Sequence, residues 1–317
     1  MRGGYGLSMS RERTFIDLLK PLARDPAARG LADDAAVLSI GSTGLVLTHD
    51  MIVEGVHYLS ADRPQDVAWK LVAVNLSDLA AKGARPIGVL LGYSLGDLAQ
   101  CDAAFVEGLR EALDAFDVPL LGGDTVRMPE GAPRAHGMTA IGEAHPDGTP
   151  SRSGAQDGDI LYVTGRIGAA GLGLAMARGE RDGPAAWIEA YRRPRPRLVE
   201  GRILAPLVHA MADVSDGMLI DAARMAEASG LAVEVDLDAV PMPEGAGNTR
   251  EGRLAAATAG DDYELLFAGP AGLSLSQPHL AKVSVIGRFT SGRGLSVADA
   301  HGRLPLPERL GFEHDAP

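Results

Sequence analysis

The sequence predicts a two-domain protein in which strands alternate with helices, and three observations lead there. A chain of 317 residues is long enough for two ordinary domains. Its first half reads as apolar strand segments separated by segments of helical periodicity. His145-Pro146-Asp147-Gly148-Thr149-Pro150 is the clearest linker, which divides the chain into residues 1–146 and 147–317. With 46% hydrophobic and 23% charged residues, both halves can build a packed core.

The elements follow in order. Phe15, Ile16, Leu18, Leu19 and Leu22 recur at helical spacing and predict a short helix ending near Pro21. Residues 36–40 and 45–49 are apolar runs joined by Gly41-Ser42-Thr43-Gly44, a hairpin pattern. Pro64 opens and Gly83 closes an apolar segment that reads as a buried helix, on which Asn75, Asp78 and Lys82 form a polar stripe needing partners. A strand at 87–93, an amphipathic helix through Phe105, Leu109, Leu113 and Phe116, a strand at 118–121, a loop at 122–125 and a strand at 135–144 complete the first half. In the second half, strands are expected at 160–164, 232–237, 263–267 and 283–288. A glycine-rich helix start is expected at 165–173, and a helix at 218–229.

Bulk properties exclude several functions. A net charge of −12, from 42 acidic and 30 basic residues, argues against nucleic acid as a partner, because such binding rests on neutralised phosphates. A phosphate ligand would instead need cations to bring two anions together. The single cysteine, Cys101, permits no intrachain disulfide and predicts a reducing cytoplasm. The apolar run around 87–95 is too short to span a membrane, and the N-terminus lacks an apolar leader segment.

Carboxylates concentrate at strand ends and helix starts: Asp33-Asp34, Asp50, Asp124, Asp213 with Asp216, and Asp261-Asp262. Any one of these loops is an ordinary turn, and Asp216 alone reads as a helix cap. Together they form the dispersed oxygen set that Mg²⁺ prefers while it bridges to substrate phosphates. There is no P-loop, protein-kinase signature, nucleophile elbow or zinc motif, and the glycines at 165–173 lack dinucleotide-binding spacing.

Eight motifs in fixed order carry a resemblance over nearly the whole chain. They are Asp33-Asp34-Ala35-Ala36-Val37, Thr48-His49-Asp50, Glu54-Gly55-Val56-His57, Ala73-Val74-Asn75-Leu76-Ser77-Asp78-Leu79-Ala80-Ala81, Gly122-Gly123-Asp124-Thr125, Arg152-Ser153-Gly154-Ala155, Asp213-Val214-Ser215-Asp216-Gly217 and Gly260-Asp261-Asp262-Tyr263-Glu264-Leu265. In these the sequence resembles the thiamine-monophosphate kinases. The resemblance implies a PurM-like architecture: an N-terminal α/β domain whose sheet pairs across a homodimer, and a C-terminal α+β domain. It further implies ATP as co-substrate, several Mg²⁺ ions, and direct in-line transfer to thiamine monophosphate with no catalytic residue beyond metal and phosphate positioning. By motif match, Asp33, Thr48, Asp50, Asp78, Asp124, Asp213 and Asp216 would serve metal. Gly123, Asp124, Arg152 and Ser215 would contact nucleotide, and His57, Asp261 and Phe312 would face thiamine phosphate.

The chain departs from the family pattern at three places. Ala32 precedes the acidic pair where the family has Gly, and His49 replaces a hydroxyl residue. Asp261 stands where Glu is usual, shortening the reach by one methylene. Related enzymes that use an N-terminal cysteine (selenophosphate synthetases) or a C-terminal one (hydrogenase maturation proteins) do not fit a chain whose one cysteine is Cys101. Aminoimidazole ribonucleotide synthetase and a non-catalytic nucleotide-binding regulator stand as the alternative readings.

Overall fold

A computed structural model describes residues 11–96, 98–246, 249–273 and 281–314. Strands β1 (Ala36–Ile40), β2 (Thr43–Val53), β3 (Arg85–Leu95), β4 (Leu120–Arg127) and β5 (Ala135–Glu143) form a sheet in the order β1-β2-β5-β3-β4. Only β3 and β4 run parallel. The hairpin expected at 36–49 is present, but β2 continues to Val53 because β5 pairs with it from Leu45↔Glu143 to Val53↔Ala135. Residues 122–125, expected as a loop, instead lie inside β4, with Leu91 opposite Gly123 and Gly92 opposite Asp124. Glycine is required at 123, where a Cβ would stand 2.0 Å from the Leu91 carbonyl oxygen.

Strand alternation separates the two faces of this sheet. Val46, Thr48 and Ile52 of β2 are buried beneath helix α2 (Pro64–Ala81), whereas Met51 lies half exposed on the other face. Pairing puts His49, Met51, Leu90 and Asp124 on that open face, and Leu120, Leu121 and Val126 of edge strand β4 are exposed as well.

Helix α2 is buried from Asp66 through Ala81. It carries apolar residues around its whole circumference, as a helix enclosed on every side should. The sheet covers one side and α3 (Ala99–Phe116) another. The second half covers the rest through α5 (Ala185–Arg192), α6 (Leu198–Leu204) and β7 (Ala210–Asp213). Contact with α6 is close: a Cβ on Gly201 would lie 2.0 Å from the Ala80 carbonyl oxygen. Trp69 Nε1 donates to Pro194 O at 2.9 Å across the same seam.

The second sheet has the order β12-β11-β8-β10-β6-β9-β7. Its remaining strands are β6 (Ile160–Thr164), β8 (Ala232–Asp236), β9 (Leu265–Gly269), β10 (Val283–Thr290), β11 (Gly294–Asp299) and β12 (Gly302–Arg303). Helices α4 (Ala169–Ala177), α7 (Met218–Ser229) and α8 (Arg250–Thr258) complete this half. The connection between the sheets runs over residues 144–159 and contains the 146/147 position. Helix α1 (Arg11–Leu19) forms where expected but buries none of its residues. Although early in the chain, it touches the second half: Arg13 pairs with Glu227, and Glu12 Oε2 accepts the His314 N–H at 3.4 Å.

Candidate active site

Four elements converge on a carboxylate centre at the seam. Asp34 precedes β1, Thr48 and Asp50 come from β2, Asp78 from α2, and Asp213 ends β7. One carboxylate oxygen from each of Asp34, Asp78 and Asp213 lies within 4.8 Å of the others. Thr48 Oγ1 donates to Asp78, and Ser77 Oγ donates to Asp213 Oδ2 at 2.6 Å. Asn75 Oδ1 accepts the Asp50 N–H at 3.0 Å and so ties β2 to α2. Burial and the neighbouring carboxylates push Asp78 and Asp213 well above the usual carboxylate range, and burial with Asp34 beside it pushes Asp50 up to about 6. Asp34 Oδ2 is buried, with Lys82 Nζ 2.7 Å away as an ion-pair partner and no hydrogen bond from a neutral donor. Crowded, buried, incompletely satisfied oxygens of this kind fit a hard divalent cation such as Mg²⁺.

Around the centre is a ring of cations. Lys82, fully buried, donates to Asp33 Oδ1 at 2.5 Å and to Met211 O at 3.1 Å. Arg29 donates to Asp33 Oδ2 at 2.6 Å, and the Arg152 N–H to Asp33 Oδ1 at 3.1 Å. Burial opposes ionisation of Asp33, but Lys82 and Arg29 outweigh it and hold this carboxyl well below its ordinary range. Asp33, expected to bind metal, pairs with Lys82 and Arg29, while its neighbour Asp34, itself paired with Lys82 and Arg152, is the one whose oxygen comes close to Asp78 and Asp213. Arg152 donates to Asp34 and keeps a buried Nε without a partner.

Asp216 stands apart from the triad, paired with Arg224. Asp221, which sequence reasoning missed, accepts the N–H groups of Asp216 and Gly217 at 3.2 Å each; burial and the charge of Asp216 push it up to about 7. Gly123 and Asp124 do not join the centre. Their strand is separated from β2 by β5 and β3, about 14 Å by strand spacing. Asp124 also lies on the face opposite Thr48 and Asp50.

The three residues expected to face thiamine phosphate gather in a second cluster. The His57 and Phe312 rings meet edge to face at 6.4 Å, and His314 lies 5.2 Å from His57. Phe312 is drawn in by its N–H, which donates to Asp216 O at 2.9 Å. His57 Nδ1 accepts the Val53 N–H at 3.0 Å, so the neutral ring carries its proton on Nε2. Burial and His314 keep His57 below its ordinary pKa. Asp261 accepts from Lys70 Nζ at 2.8 Å and from the Tyr263 hydroxyl at 3.0 Å. Its own N–H donates to Ser215 O at 2.8 Å, linking this loop to the 213–216 segment. Asp261 (φ 70°) and Tyr263 (φ 50°) are both left-handed, a conformation that costs free energy in residues with a Cβ. Between them Asp262 is half-buried and accepts from Gly168 N at 2.6 Å and Ala170 N at 3.3 Å at the start of α4.

Comparison with known proteins adds a family to this geometry. Residues 32–144 match the model of the AIR synthase related protein, N-terminal domain, and residues 156–300 that of its C-terminal domain. The thiamine-monophosphate kinase of Caulobacter vibrioides is 42% identical over 314 residues, covering 94% of this chain and 88% of that one. The crystal structure of the Stenotrophomonas maltophilia K279a thiamine-monophosphate kinase is 33% identical with a TM-score of 0.74, covering 94% and 98% of the two chains. A structure described as AaThiL complexed with AMPPCP and TMP is 26% identical with a TM-score of 0.83, covering 97% and 100%. The two-domain PurM-like architecture is thus present. Among the described residues no helix is long and apolar enough to cross a membrane.

Proposed function

The chain belongs to the thiamine-monophosphate kinase family, and from that premise we propose that it transfers the terminal phosphoryl group of ATP to thiamine monophosphate, giving thiamine diphosphate and ADP. The observation that supports this best is a dense carboxylate centre joined by one buried helix to a separate aromatic and ionic cluster. The first suits the phosphates of the donor, the second the acceptor. Asp34, Asp50, Asp78 and Asp213 with Thr48 would hold Mg²⁺, which when bound supplies positive charge to offset that of the triphosphate and the departing oxygen. Asp33 fixes Lys82, Arg29 and the Arg152 backbone around them. The unpartnered Nε of Arg152 suits a nucleotide phosphate oxygen, and Ser215 and Asp216, which follow Asp213 in the chain and bond to Asp261 and Phe312, lie between the two clusters in sequence and contacts.

At the acceptor end, neutral His57 offers its Nε2–H, while Phe312 and Asp261 flank the ring. No general base is needed, because a phosphate oxygen is already anionic at neutral pH, unlike the hydroxyl of free thiamine. Gly123 and Asp124, on a strand away from the carboxylate centre, would contribute to nucleotide binding from a second copy. A homodimer formed on the open sheet face would cover Met51, Leu90 and the apolar residues of β4. Domains at 1–146 and 147–317 and a cytoplasmic setting complete the reading.

The test is to incubate the protein with ATP, Mg²⁺ and either thiamine monophosphate or free thiamine, and to separate products by fluorescence chromatography. Thiamine diphosphate should form from the monophosphate alone. No product from it, or comparable turnover of free thiamine, would overturn the proposal.

A further inference from the structure

Lys70 is a buried lysine that the phosphoryl-transfer chemistry above does not use. We propose that it is the positioning residue of the acceptor end, holding His57 and Asp261 in register with the phosphate centre; the inference rests on the kinase reading just given.

The ammonium of Lys70 has three donors, two of which meet protein oxygens, and its charge rests against an aromatic ring. It donates to the His57 carbonyl oxygen at 2.8 Å and to Asp261 Oδ2 at 2.8 Å, and it sits 4.3 Å from the centre of the Tyr191 ring. Held in this way by the protein itself, Lys70 acts through the groups it joins rather than on the substrate. What Lys70 joins matters more. His57 belongs to the loop after β2, Asp261 to the loop before β9, and Tyr191 to α5, so one side chain of α2 ties three segments from both halves of the chain.

One of those segments, the loop before β9, needs outside support. Asp261 and Tyr263 are left-handed residues with side chains, and such a conformation persists only where its surroundings over-determine it. Lys70 Nζ from α2 and the Tyr263 hydroxyl from Asp261's own loop each hold one oxygen of Asp261. On the same helix, eight residues later, Asp78 belongs to the carboxylate centre. At 1.5 Å per residue the two are about 12 Å apart along α2. A rigid, fully buried helix therefore sets the distance between the acceptor contacts and the donor phosphates. In this chain Asp261 is one methylene shorter than the family's glutamate, so the clamp is also what decides where its carboxylate stands.

The experiment compares the wild type with Lys70→Met and Tyr263→Phe. Each is assayed for KM and kcat with thiamine monophosphate, for binding of a non-hydrolysable ATP analogue, and for thermal midpoint. Lys70→Met should lower kcat/KM for thiamine monophosphate by about tenfold or more, chiefly through KM, with analogue binding changed by less than about twofold. Tyr263→Phe, which introduces no charge imbalance in the core, should move the same parameter by a smaller factor, and it carries the test if Lys70→Met does not fold. Unchanged acceptor KM in the variants overturns the inference. So does a parallel loss of nucleotide binding, acceptor binding and thermal midpoint, which would mark Lys70 as part of the general packing. A wild type that turns over no thiamine monophosphate would instead refute the kinase reading, and the two failures are distinguishable.

Discussion

Replacing His136 by phenylalanine should remove a defined part of the acid sensitivity of the N-terminal half. His136 is 1% exposed, with its ring against Tyr93 at 4.7 Å, Phe105 at 5.0 Å and Tyr58 at 6.3 Å. Burial, reinforced by Arg134, lowers its pKa to about 4, while Glu54 and Asp102 oppose that shift. The unfolded chain binds the proton with a pKa near 6.5, so between pH 6.5 and 4 the unfolded state holds more protons than the folded one. Stability from this group is complete above pH 6.5 and is lost as pH falls toward 4. The difference of about 2.5 pH units corresponds to about 3 kcal/mol in full, of which about 2 kcal/mol is gone at pH 5. Asp78 and Asp213, raised by burial, act in the opposite sense, so the wild-type curve alone is uninformative. The gap between wild type and His136→Phe isolates the histidine. Urea unfolding of metal-free protein at pH 7.5, 6, 5 and 4.5 should show that gap shrinking or reversing as the pH falls, by about 2 kcal/mol at pH 5. A gap constant across this range would refute the claim that His136 is buried neutral.

Asp78→Asn and Asp213→Asn should each lower turnover by about a hundredfold or more while leaving the metal-free thermal midpoint unchanged or raised, since each relieves repulsion between buried carboxylates; calorimetry beside the product assay checks both. Gly201→Val drives its side chain into the Ala80 carbonyl and should cost about 1–3 kcal/mol in urea unfolding, or separate the two halves outright. Light scattering at micromolar concentration should give the dimer mass for the wild type and the monomer mass for Leu90→Asp, which places a charge on the open sheet face.

Helix α2 was legible because its signals are local: a proline at the start, a glycine after the end, and a mostly apolar run between them on which Asn75, Asp78 and Lys82 stand at helical spacing. Strand β4 was not. Its Gly-Gly-Asp-Thr segment has turn composition, and what makes it a strand is pairing with β3, some thirty residues earlier, where glycine allows close approach. Which of Asp33 and Asp34 comes close to Asp78 and Asp213 was equally hidden, since adjacent carboxylates look alike in sequence until the backbone aims them in different directions. Helices α5 and α6 flank an Arg-Pro stretch that reads as irregular, and only packing on α2 reveals them. His57, Asp261 and Phe312 had no physical signal in the sequence and came from motif order alone, yet they meet in space.

The enclosure of α2 by both halves bears on how the chain is made. During synthesis the first sheet and α2 leave the ribosome while Asp213, Asp261, Pro194 and Gly201 are still untranslated, so Ser77, Lys70 and Trp69 lack their native counterparts. At about 5–20 residues per second, the roughly 120 residues from β5 to β9 take on the order of ten seconds to follow. For that interval the nascent N-terminal half exposes the greasy flank of its central helix, which makes it a natural client for ribosome-associated chaperones and makes rare-codon pauses within residues 144–264 costly to yield.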